Sequence, residues 1–145
     1  MFNSSAIALS LAAGAALFST PALSHDGGRK LSATLTGAAE VPGPGDADGR
    51  GTAGVTVNAG QRQVCYSLSV SNIEPATMAH IHKGAAGVAG PVVVALKAPS
   101  GGSSKACATV TRALALDILK SPANYYVNVH NQPFPDGAVR GQLAK

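Results

Sequence analysis

Residues 52–71 read TAGVTVNAGQRQVCYSLSVS. Ala53, Val55 and Val57 alternate with Thr52, Gly54, Thr56 and Asn58. Beyond the break at Ala59–Gln63, Val64, Tyr66, Leu68 and Val70 alternate with Cys65, Ser67, Ser69 and Ser71. A period of two places each apolar set on one face of a strand. Two such runs with a Gly-containing break between them are two half-buried strands.

The same reading extends in both directions. Upstream, Leu31, Ala33 and Leu35 alternate with Ser32, Thr34 and Thr36, and VPGPGDADGRG (41–51) is a Gly/Pro/Asp loop. Downstream come Met78–His82, the continuous apolar run Pro91–Leu96, read as a buried strand, and the alternating Ala106–Val110. ALALDILK (113–120) is the one helix, ending before Pro122 as helices tend to. Tyr125–His130 and Val139–Leu143 are the last strands, separated by the turn PFPDG (133–137). About eight short strands and one short helix predict an all-β antiparallel sandwich of two sheets with Greek-key connections, a single closed barrel being the alternative.

Composition agrees. The chain has 145 residues, room for one ordinary domain. Only 12% are charged and 4% aromatic, against 17 Gly and 9 Pro, which excludes coiled coils and charge-rich disorder. The net charge of +4 comes from scattered Lys and Arg with no aromatic interleaving. No nucleic-acid footprint follows from it, and the partner class stays at a protein or an envelope polymer.

Residues 1–24 read as a signal peptide. The stretch from Ala6 to Phe18 is apolar and uncharged, suited to a signal h-region but shorter than the roughly 20 residues that span a bilayer. Small residues follow at Thr20, Ala22 and Ser24. Cleavage there exposes His25 at or near a new terminus, where amine and imidazole can chelate Cu(II) or Ni(II), a frayed terminus with an idle histidine being the alternative. Residues 25–30 are expected to form a flexible segment ahead of the folded domain at 31–145, and the destination is secreted or periplasmic, with no membrane anchor after cleavage. In an oxidising compartment the chain's two cysteines, Cys65 and Cys107, form a structural disulfide.

The histidines carry most of the functional information. His80 and His82 lie two apart on one strand and share a face, with Ala79 and Ile81 opposite. Asn128 and His130 share a face of a second strand, with Val127 and Val129 opposite. With the valines and Ile81 in the core, the histidines face outward, into water or under a loop. Neighbouring strands would bring three imidazoles together. That set, with one position open, suits Zn²⁺ or Cu²⁺. Glu40, Asn128, Asn131 and Arg140 are the polar groups expected around it. A structural reading stands beside it, in which these side chains hold loop backbone in place.

LTGAAEVPGPG (35–45), VCYSLSVSNI (64–73), AHIHKGAAGVAGPVVVAL (79–96) and YYVNVHNQPFPDGAVRGQL (125–143) together resemble the CHRD domain, the chordin-type repeat, in its form as a single exported bacterial unit. The resemblance covers Leu31 to Leu143. Its motif positions fall on Glu40, Pro42, His80, His82, Gly84, Gly90, Pro91, Tyr126, Asn128, His130, Pro135, Gly137, Arg140 and Gly141, all present here. It implies an extracellular or periplasmic β-sandwich without an established enzymatic activity. Three functions are therefore carried forward: a non-catalytic binding or structural module, a copper- or zinc-binding protein using His80, His82 and His130 with His25 as a separate or fourth donor, and a metal-dependent enzyme of unnamed substrate. No catalytic residue is assigned, since no nucleophile elbow, H-E-x-x-H or phosphate loop occurs.

Overall fold

A computed structural model describes residues 27–145. The expected signal peptide and His25 lie outside the described residues. Eight strands follow in order: β1 (Arg29–Thr36), β2 (Arg50–Asn58), β3 (Gln63–Ser71), β4 (Ala76–Lys83), β5 (Val92–Leu96), β6 (Ser103–Thr109), β7 (Tyr125–Asn131) and β8 (Val139–Gln142). The helix α1 (Arg112–Lys120) lies between β6 and β7. β1 opens at Arg29, which pairs with Val57, ahead of the expected domain start at Leu31.

The strands form one antiparallel sheet in the order β5-β4-β7-β8-β1-β2-β3-β6. The two separate sheets of a sandwich are not what the hydrogen bonds describe. β1 pairs with β2 along its whole length but with β8 only at Thr36↔Arg140, extended by a bridge between Ser32 and Ala144. That narrow seam joins the two four-stranded halves into a continuous sheet. The edges then approach each other at Lys97, whose N–H donates to Tyr66 Oη and whose carbonyl accepts from Ser104 Oγ, each at 2.7 Å. The result is a nearly closed sheet, nearer the barrel alternative. Alternation reports that a strand has one buried face; it carries no information on how the sheet closes.

The inner face is filled by the expected alternating residues, among them Leu35, Val55, Val57, Val64, Leu68, Ile81, Val127, Val129 and Val139, each at most 2% exposed. α1 adds Ala115 and Ile118 to the same core. Its start is fixed by Thr111, whose side chain accepts from the Leu114 N–H at 3.1 Å. The run Pro91–Leu96 departs from expectation: β5 is an edge strand with Val94 and Leu96 inward and Val92 half exposed. An edge strand of small β-branched residues reads the same as a buried one. Cys65 and Cys107 are direct cross-strand partners on β3 and β6, joined as a disulfide with Cα atoms 3.9 Å apart.

Candidate metal centre

β4 and β7 are adjacent, and their register sets His80 opposite Asn128 and His82 opposite Tyr126. Ala79 and Ile81 point into the core, so His80 and His82 project from the outer face with Asn128 and His130. β7 is nevertheless buried on both faces, because loops cover the outer one. Among the contacts that hold the 84–91 loop there, Gln142 Nε2 donates to the Gly84 carbonyl at 3.0 Å and Arg140 Nη2 to the Ala85 carbonyl at 2.9 Å. A Cβ at Gly90 would overlap the Lys83 carbonyl, so this close approach requires glycine. The 133–137 turn closes over His130 through the Pro135 carbonyl, and Glu40, just ahead of a cis Val41–Pro42 bond, accepts from Asn128.

These loops set the imidazole tautomers. His82 Nδ1 is 2.9 Å from the Gly90 carbonyl, and His130 Nδ1 is 2.9 Å from the Pro135 carbonyl. A carbonyl only accepts, so both Nδ1 atoms carry the proton and both Nε2 atoms carry a lone pair. His80 Nδ1 lies 3.2 Å from His130 Nε2, close to the roughly 3.3 Å that separates two ligands of one tetrahedral ion with ~2.0 Å bonds. One ligand nitrogen from each of His80, His82 and His130 lies within 4.8 Å of the others. His82 Nε2 is buried with no hydrogen-bond partner among the described residues, an arrangement a scaffold histidine avoids.

Protonation favours the same end. Desolvation, then the neighbouring His130 and His82, push His80 below the ordinary imidazole range. Desolvation also lowers His82, outweighing the Gly90 contact that favours its charged form, with His130 and Arg140 lowering it further. Metal ligation needs neutral imidazole.

The expected surrounding residues divide. Arg140, 1% exposed, is placed through an aromatic: its guanidinium sits 3.4 Å from the centre of the Tyr126 ring, which stacks on His82. Asn128 donates to Glu40 Oε1 at 2.5 Å. Burial raises the Glu40 carboxyl to about 7, against the lowering pull of Arg140, Asn128 and the Val41 N–H. Asn131 does not join the site. Its Oδ1 accepts from the Phe134 N–H at 3.0 Å and shapes the turn. Tyr126 and the Gly90 and Pro135 carbonyls orient the histidines, a role that residue-type reasoning missed; only their place in the motif marked them.

Residues 31–143 match the family model of the CHRD domain. The chain belongs to the CHRD domain family. No curated protein and no solved structure matches it. In this CHRD domain the family stretches AHIH and YVNVH supply the three histidines from β4 and β7, and PFPDG supplies the carbonyl that orients His130.

Proposed function

We propose that this CHRD domain is an exported, non-catalytic binding protein, secreted or periplasmic, whose three-histidine centre takes copper or zinc. The observation that carries the reading is the buried, unpartnered His82 Nε2, left free by the Gly90 contact at Nδ1, in a ring clustered with His80 and His130. Two further imidazoles, with one nitrogen of each of the three rings within 4.8 Å of the others, make a ligand set. Export is supported by the apolar N-terminal run and by the Cys65–Cys107 disulfide. Among the described residues no helix is long and apolar enough to cross a membrane. Glu40, the carboxylate an enzyme reading would use, is engaged by Asn128 and packed against Gly137, which favours binding over turnover.

The test is calorimetric titration of Cu²⁺ and Zn²⁺ into the disulfide-intact chain carrying His25→Ala, beside the same chain with His80, His82 and His130 replaced by alanine. Stoichiometric binding lost in the triple variant supports the proposal. Equal binding by both chains overturns it.

A further inference from the structure

The three imidazoles leave a fourth position, and the strand that carries two of them carries a further donor. Met78 lies two residues before His80 on β4 and is the direct cross-strand partner of His130. The register is regular from Met78 to His82, its one irregularity on the β7 side falling between Ala76 and Met78. Met78, His80 and His82 therefore occupy one face, with Ala79 and Ile81 on the other. Directly opposed Cβ atoms on such a ladder sit about 5 Å apart, and a methionine has three rotatable bonds with which to swing its sulfur over its neighbour. Met78 is also 48% exposed.

Its surroundings are apolar. Of the four exposed large apolar side chains among the described residues, three lie on segments that carry or adjoin the histidines: Met78 on β4, Val92 as the register partner of His82, and Val88 on the covering 84–91 loop.

Charge separates the ions such a site can hold. Three neutral imidazoles and a thioether cancel none of the metal's charge. A buried cation, the Arg140 guanidinium, stacks on the ring that stacks on His82, and the Glu40 carboxyl near it is engaged by Asn128. Taking an ion out of water costs energy that rises with the square of its charge, so a neutral ligand set beside a buried cation favours a monovalent ion over a divalent one. Thioether is a soft donor that selects Cu(I) among biological metals.

We infer that the centre is a cuprous site, with Met78 Sδ as the fourth ligand beside His80, His82 and His130. This rests on the three-histidine reading above. Met78 stands on the solvent side, where it can engage an arriving ion before the less exposed histidines do.

The experiment compares the chain carrying His25→Ala with the same chain also carrying Met78→Leu. Cu(I) affinity is measured anaerobically under ascorbate by competition with bicinchoninate, and Zn²⁺ affinity by calorimetry. Met78→Leu should weaken Cu(I) at least ~tenfold and change Zn²⁺ less than about twofold. Selenomethionine-substituted protein loaded with Cu(I) should show a copper–selenium shell in X-ray absorption. Unchanged Cu(I) affinity in Met78→Leu, or no copper–selenium shell, overturns the inference while histidine-dependent metal binding leaves the centre standing. Zn²⁺ binding without Cu(I) binding does the same. Absence of both ions overturns the centre itself.

Discussion

His82 lies flat on Tyr126, ring centroids 4.7 Å apart and planes within 7° of parallel. The Tyr126 hydroxyl accepts from the Gly90 N–H at 3.1 Å, and the Gly90 carbonyl orients His82 Nδ1. One residue thus fixes both the plane of the imidazole and the loop that sets its tautomer. Tyr126→Phe, which keeps the stack and loses the hydroxyl, should weaken metal binding by about tenfold, within the range for groups that orient a ligand. Calorimetry reads the affinity, and circular dichroism of the metal-free variant should be unchanged.

Metal affinity should fall steeply on acidification. His80 and His82 titrate below the ordinary imidazole value, so they stay neutral at pH 7 and compete with protons only as the pH falls below about 6.5. The metal-free fold responds in the same direction. The unfolded chain takes up these protons before the folded one does, so this contribution to stability is present above the unfolded pKa and lost as the pH drops through the folded ones. Zinc titrations at stepped pH check the first part. Melting temperatures of wild type and His80→Ala, without metal, check the second.

Glu40 works in the opposite sense. Its folded pKa of about 7 lies above the unfolded 4.5. Its contribution is therefore fully present below 4.5 and is lost as the pH rises through about 7. Glu40→Gln should be the more stable protein at pH 8, and its melting temperature should not share the wild-type decline between pH 5 and 8. Parallel pH–melting curves for the two proteins would refute this.

Gly137 holds φ at 144°, and a Cβ there would run into the Glu40 carboxyl. Gly137→Ala should cost at least ~1–3 kcal/mol from backbone strain alone, measured by urea denaturation. Because it shifts the turn that presents the Pro135 carbonyl, it should also weaken metal binding.

The disulfide is separate from the centre. It ties β3 to β6, whereas the three clustered histidines sit on β4 and β7. The Cys65→Ser/Cys107→Ser double variant should lose roughly 4 kcal/mol of stability, as expected for a loop of this length, and keep its metal affinity once folded.

The strands were legible because each residue's partner in the pattern lies two positions away. Val55, between Gly54 and Thr56, needs no tertiary information to be placed inward. Neither does the outward direction of His80 and His82 once Ala79 and Ile81 are assigned to the core. Closure of the sheet was not legible, since it turns on the seam at Thr36 and Arg140, residues from opposite ends of the domain. Nor were the backbone carbonyls of Gly90 and Pro135, which act on His82 and His130 without any side-chain signature. Asn131 falls outside the expected site for a related reason: an asparagine at a strand end can serve a turn or a site equally well, and here the Phe134 N–H claims it.

The β1–β2–β3 half is a meander of neighbours in sequence, whereas His80 and His130 are 50 residues apart and meet only when β7 docks on β4. Long-range pairing of this kind forms late, after the entropy of closing the intervening loop has been spent. Until then the chain offers a metal only the isolated His-Ile-His step. The complete centre is thus a late product of folding: were the chain exported unfolded, as proposed, it would carry no assembled site across the membrane, and a metal would be acquired on the far side.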